Sequence, residues 1–162
     1  MLPIIVLLYK LYFAIGNMRL SKELSVMIRT PLAECPRGQQ AAFLFFNGVL
    51  KVMEERWTEA QASLTAAFRS CAASSPKNKA VILSYLVPVK MLLGTMPRPE
   101  ALRRHKLAYF EPIVAAVRTG DPVALRAALA DNQYRFIQVK GLGFGAGGWE
   151  VWGRVRRRCR RA

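Results

Sequence analysis

Carboxylates are the scarcest chemistry in this chain. Ten Asp and Glu stand against 25 Lys and Arg, a formal charge of +15 over 162 residues. Glu54, Glu55 and Glu59 cluster at one helix junction, where capping and the helix dipole account for Glu59. No pair is placed for acid–base work. Histidine is scarcer still, with His105 alone. The three cysteines, Cys35, Cys71 and Cys159, are widely spaced and form no CxxC. One His with scattered Cys makes neither a zinc site nor a Ser/His or Cys/His catalytic set. We therefore expect no enzyme, no metal, no cofactor and no small-molecule substrate. The odd cysteine count reads as free thiols in a reducing compartment.

Long apolar runs are also missing. The longest, MLPIIVLLYKLYFAI from Met1 to Ile15, is interrupted by Lys10. A membrane span needs about 20 residues, and a signal peptide needs a positive start and a small-residue cleavage site. Neither is present, so the run reads as a buried helix. A membrane-associated protein using this run and the basic C-terminus is kept as an alternative.

What is there is core material. A hydrophobic content of 52% suits one folded domain. The excess of basic residues suits acidic partners: nucleic acid, an acidic protein or an anionic surface.

The chain is organised around Thr58 to Leu93. Thr58 is placed to cap a helix, with Gln61 completing a capping box. Ala60, Leu64, Ala67, Phe68 and Cys71 then fall on one helical face. Ser75 and Pro76 start a second helix as N-cap and first helical residue. Its stripe is Ile82, Tyr85, Leu86, Val89 and Leu93, and Gly94 marks its end. Pro88 interrupts it and predicts a kink without a break. Two helices with so short a link pack antiparallel.

Elsewhere the same punctuation recurs. Gly16-Asn17 ends the first run, and Leu20, Leu24, Met27 and Ile28 stripe a helix stopped by Thr30-Pro31. Ala33 to Gly38 reads as a loop, and Ala41 to Glu55 as a helix with Phe43, Phe46, Leu50 and Met53 inward. Gly48, Ala60 and Ala67 take the small-residue positions of a tetratricopeptide repeat, which allow helices to approach closely. Leu44 and Lys51 replace its usual Trp and Tyr. Pro99 to Leu107 is a short basic helix, and Tyr109 to Arg118 the next. Thr119-Gly120-Asp121-Pro122 is a stop and restart before a helix over Val123 to Ala130. Asp131 to Lys140 reads as a further helix, or as a strand at FIQVK. The expected fold is all-α, a short right-handed solenoid of antiparallel helical hairpins over residues 1–140.

Residues 141–162 form a Gly-rich linker and an Arg-rich tail. Gly143 to Gly148 matches GxGxxG, but a dinucleotide fingerprint needs a helix, a strand and an acidic residue beyond it. The match reads as a linker. Arg154, Arg156, Arg157, Arg158, Arg160 and Arg161 lie beside Trp149 and Trp152. Arginines neutralise phosphates and Trp stacks on unpaired bases, so these eight residues are candidate nucleic-acid contacts. A nuclear-import address or a solvated end fits them as well.

Two further basic groups are candidate partner contacts. Lys77 and Lys79 sit in a first helical turn, where positive charge opposes the helix dipole. Local helix energetics do not explain them. Arg98, Arg103 and Arg104, with Lys106, surround the loop at Pro97. The plainer reading of both groups is a solvated face.

The run SSPKNKAVILSYLVPVKMLLGTMP, Ser74 to Pro97, resembles the signature region of PCI-domain proteins, specifically the PCI protein of the nuclear transcription and export complex 2. In that family the helix reads close to SSxKNKxxILxYLxPVKMLLGxMP. The likeness extends more loosely from about Leu8 to about Lys140. It implies the tetratricopeptide-like N-terminal part of a PCI domain, with the winged-helix half missing, as in a truncated form. It implies a non-catalytic scaffold coupling transcription to mRNA export, in the nucleus and at the nuclear pore, with the cytoplasm as an alternative. The implied partners are a large PCI-containing scaffold subunit and a small acidic clamp protein. Nucleic acid is bound in the family by paired winged helices, so mRNA binding does not carry over intact. A scaffold of the proteasome lid or the signalosome is the nearest alternative.

Overall fold

A computed structural model describes residues 2–27 and 34–132 of the chain. Among them every regular element is helical: α1 (Leu2–Ala14), α2 (Met18–Met27), α3 (Arg37–Met53), α4 (Trp57–Ser70), α5 (Pro76–Leu92), α6 (Pro99–Arg104), α7 (Glu111–Thr119) and α8 (Pro122–Asp131). A 3-10 turn, Ala108–Phe110, leads into α7. Helices pack mainly on their chain neighbours, α1 with α2, α3 with α4, α4 with α5 and α7 with α8. Such neighbour-to-neighbour stacking is the all-α helical solenoid expected. No winged helix occurs among the described residues. The possible helix or strand at Asp131 to Lys140, the boundary at residue 140, and the Gly-rich and Arg-rich segments all lie outside them.

Five of the helices end in the same closure. At the end of α5, Thr95 N–H donates to Lys90 O (2.8 Å) and Gly94 N–H to Met91 O (3.1 Å), with Gly94 at φ +82°. These two bonds are a Schellman motif, which satisfies carbonyls that the helix leaves open. The same pair of bonds closes α1 at Gly16 and α7 at Gly120. It closes α3 and α6 at Glu55 (φ 63°) and Lys106 (φ 59°), where an L side chain accepts the left-handed conformation.

These closures correct several starts. α4 begins at Trp57, one residue before the expected Thr58 cap, because the α3 closure brings Arg56 N–H onto Lys51 O (3.0 Å) and leaves no spacer. Thr58 is therefore inside the helix and the capping box does not form. α3 begins at Arg37, not Ala41, since Pro36 O accepts from Gln39 and Gln40 N–H (2.9 and 3.1 Å). Ser75 holds the N-cap position of α5 but makes no side-chain capping bond. Asp121 does cap, accepting from Val123 and Ala124 N–H at 2.8 and 3.0 Å. Asn17, read from sequence only as a break, caps α2 by accepting from Leu20 N–H (3.2 Å).

Helix α5 is the wall between two cores. Its N-terminal half, with Ile82, Tyr85 and Leu86, joins α1, α3 and α4 around Phe43, Phe46, Leu50, Leu64 and Ala67. Its C-terminal half, with Val87, Met91 and Leu92, joins Leu102, Phe110, Ile113, Leu125 and Leu129. It runs without a break through buried Pro88. Cys71 is core, as expected. Met53, Phe68 and Leu93 are only half-buried, at the edges of these packed faces.

The small-residue positions do what a repeat asks of them. Ala60 and Ala67 are fully buried. A Cβ on Gly48 would lie 2.7 Å from Leu64 Cγ and 2.8 Å from its Cδ2, so α3 and α4 touch where glycine removes the side chain.

α1 is buried on one face only. Leu2, Ile5, Val6, Tyr9 and Phe13 enter the core, where Tyr9 stacks on Phe46 at 5.7 Å between ring centroids. Ile4, Leu7, Leu11 and Ile15 are 54–63% exposed, contrary to the reading of a wholly buried helix. The helix has one packed neighbourhood, so half of its all-round apolar surface has nothing to meet. In α2 the inward position belongs to Ser21, whose hydroxyl donates to Asn17 O (3.2 Å), while Leu20 turns outward. Among the described residues no helix is long and apolar enough to cross a membrane.

Candidate functional site

The basic residues of the described region separate into structural and available ones. Arg103 is structural. Its guanidinium donates twice to Glu111, Nε to Oε1 at 2.7 Å and Nη2 to Oε2 at 3.0 Å, which ties α6 to α7. The pair holds the Glu111 carboxyl below its usual range. Arg56 likewise grips Glu59, with Nη2 to Oε2 at 2.6 Å, and reaches Glu54 at 3.4 Å. Lys22 reaches Glu54 at 2.9 Å, so the acidic cluster at this junction is consumed in joining α2, α3 and α4. Such exposed pairs add little stability each, but they remove these carboxylates from any site chemistry.

Lys79 has a tertiary explanation that its helix could not supply. Its ammonium sits 5.4 Å from the centre of the Phe68 ring, a cation–π contact between α5 and α4. His105 meets the same ring edge-on at 5.5 Å between centroids. Burial lowers the His105 pKa, and the nearby charges of Lys79 and Arg104 lower it further. The structure thus brings Lys79 and His105, far apart in the chain, onto the one Phe68 ring, with the charge of Arg104 next to His105. Lys77, Arg98 and Arg104 are exposed. Trp149, Trp152 and the tail arginines lie outside the described residues, so no geometry attaches to them.

Beside this basic edge runs a groove of about 620 Å³, which no motif foreshadowed. Its lining comes from α3 (Ala41, Ala42, Phe45) and α5 (Asn78, Val81, Ile82), with Leu107 and Tyr109 from the segment after α6. Lys10 and Lys106 are the charged residues lining it, and no carboxylate does. Only the packing of α1, α3 and α5 with the segments before α5 and after α6 brings these residues together.

No group of three or more His, Cys, Asp or Glu gathers among the described residues. The arrangement offers surfaces for binding: an exposed basic edge, an apolar groove and the outer face of α1.

No family model matches the chain. It is similar to individual proteins over most of its length. PCI domain-containing protein 2 of Xenopus laevis is 35% identical over 133 residues, 81% of this chain and 33% of the relative. The Enhanced ethylene response protein 5 of Arabidopsis thaliana is 35% identical over 135 residues, 81% of this chain and 33% of the relative. The Protein CSN12 homolog of Mycosarcoma maydis is 33% identical over 143 residues, 83% of this chain and 32% of the relative. The chain spans about a third of the length of these curated relatives. Four-fifths of this helical chain therefore corresponds to one third of proteins named for a PCI domain or for CSN12.

Proposed function

We propose that the chain serves as helical-repeat scaffold in a PCI assembly, without catalysis, and that the assembly is the one resembling transcription and export complex 2. The observation that carries this reading is the Ser74 to Pro97 run. It forms α5, the wall shared by both cores, so its sequence answers to packing on two sides. The similarity to PCI domain-containing protein 2 supports the PCI part of this reading. In this reading the partners are a large PCI-containing scaffold subunit and a small acidic clamp protein, in the nucleus and at the nuclear pore. The Trp and Arg residues of the tail contribute contact with mRNA or another polyanion. Lys77, Arg98 and Arg104 supply exposed positive charge for an acidic partner, with half-buried Lys79 beside them on the Phe68 ring, while Arg103 also ties α6 to α7.

A second reading is supported by the relatives named CSN12 homolog: the same scaffold role in a signalosome-type assembly. Affinity purification of the tagged chain from nuclear extract, followed by mass spectrometry, separates the two. Recovery of export-complex subunits is expected. Recovery of signalosome subunits in their place would transfer the proposal to the second reading. The purification is run at two salt concentrations, because exposed-charge attraction is screened within about 8–10 Å near physiological ionic strength. It is also run with residues 149–162 deleted. Capture that vanishes with salt or with the tail would reduce the basic residues to nonspecific polyanion binders.

A further inference from the structure

Two apolar surfaces of the described region lack a partner: the outer face of α1 and the groove between α3 and α5. The α1 face is a flat stripe, and nothing beside it selects what covers it. The groove is more informative. Gly38, Ala41 and Ala42 on α3, with Ala72 and Ala80 across it, are small. Phe45, Phe46 and Ile82 supply an apolar floor. Small walls over a large-residue floor leave room for side chains that enter from outside, as in helix-in-groove recognition.

Charge narrows the occupant further. Lys10 and Lys106 stand on the lining and are exposed, with no acidic residue among the lining side chains. Arg104 and Lys79 lie next to the Lys106 end, around His105. A basic helix would be repelled there. A second copy of the chain, itself at +15, would be repelled as well. The backbone of α3 and α5 is already hydrogen-bonded within each helix, so the groove offers no edge to an added strand. We propose that the groove is a docking site for an amphipathic α-helix of another protein, with apolar anchors on one face and carboxylates flanking them. This inference concerns the purified chain alone and does not depend on which PCI assembly contains it.

The test uses the purified 162-residue chain and a displayed library of about 16-residue helical peptides. The library varies the apolar face and carries either glutamate or lysine on the flanks. Glutamate-flanked peptides are expected to be enriched. Ala42→Arg, which fills the groove, and Lys106→Glu, which reverses its rim, should each weaken a selected peptide about tenfold or more, as truncating an interface anchor or reversing a complementary charge does. Leu11→Asp on the outer face of α1 should leave binding unchanged. Circular dichroism confirms that each variant folds, and Lys106→Glu is a surface change that keeps the test alive if Ala42→Arg does not. Enrichment of lysine-flanked peptides, no enrichment, or binding insensitive to both groove variants would overturn the proposal. So would binding lost with Leu11→Asp, which places the helix on α1. Self-association of the chain in sedimentation velocity that is abolished by Ala42→Arg would make a second copy the occupant and also overturn it. None of these results bears on whether the chain joins an export or a signalosome assembly.

Discussion

Replacing Gly48 by alanine pits two known effects against each other. In a helix interior, Gly→Ala ordinarily stabilises by about 0.8–1 kcal/mol. At Gly48 the new Cβ meets Leu64 Cγ at 2.7 Å and Cδ2 at 2.8 Å, and Leu64 is fully buried, so its side chain has nowhere to retreat. Overpacking of this kind costs roughly 1–3 kcal/mol. The packing cost therefore wins, and the net change is between nothing and about 2 kcal/mol of lost stability. Gly38 provides the control within the same helix, since a Cβ there meets nothing within 4 Å. Gly38→Ala should stabilise, by up to about 1 kcal/mol. Urea unfolding of the two variants beside the parent gives both values from the shift in midpoint at constant slope. Leu64→Ala adds a check. Alone it costs about 2–5 kcal/mol. In its background the clash is gone, and Gly48→Ala should turn favourable, a coupling of about 1–3 kcal/mol. If Gly48→Ala and Gly38→Ala stabilise alike, α3 and α4 do not approach as closely as the structure has them.

Leu86→Ala should cost about 2–5 kcal/mol, because Leu86 is buried on the inner stripe of α5; an unchanged urea midpoint would place that stripe outside the core. Gly94→Ala should cost about 1–2 kcal/mol for its left-handed backbone alone, as nothing lies near its Cβ. Lys106→Gly relieves the same strain at the end of α6 and should gain a few tenths to about 1 kcal/mol, less what glycine adds to the freedom of the unfolded chain; a loss would mean that the Lys106 side chain stabilises the turn. His105 should titrate by NMR below an ordinary histidine, and Lys79→Met should raise its pKa. Its folded pKa is depressed, so the unfolded chain takes up a proton first as pH falls through about 6.5. The contribution is thus present above that pH and lost as pH falls through the folded-state value. A His105 pKa unmoved by Lys79→Met would remove Lys79 from the Phe68 ring.

How much of this was legible beforehand follows from the range of each interaction. Helix periodicity is local, and the inner stripe of α5, the buried Cys71, the Asp121 cap and the Gly94 stop were all readable from spacing. The small residues Gly48, Ala60 and Ala67 pointed to close helix pairs, and Gly48 lies against Leu64 as that pattern requires. Helix starts were less legible. The reading relied on Thr and Ser side chains, whereas α3 and α4 begin on backbone hydrogen bonds set by the preceding turn, and Glu55 closes α3 without a glycine to announce it.

The sequence by itself determined the helical character of the described residues and an excess of positive charge. Among the described residues, tertiary structure decided which charges are paired and which apolar faces are packed. α1 is apolar on every side, so its periodicity contains no record of which half packs; only the position of Phe46 and its neighbours chooses Tyr9 and Phe13 over Leu7 and Leu11. Arg103 and Arg104 look alike in the chain and both stay exposed, yet the approach of α7 joins the first to Glu111 while the second lies beside His105. Lys79 opposes its own helix dipole and is held by a ring on another helix. The groove exists only where α1, α3, α5, the link before α5 and the segment after α6 meet. In each case the deciding contact joins residues distant in sequence, and its energy has no expression in local spacing.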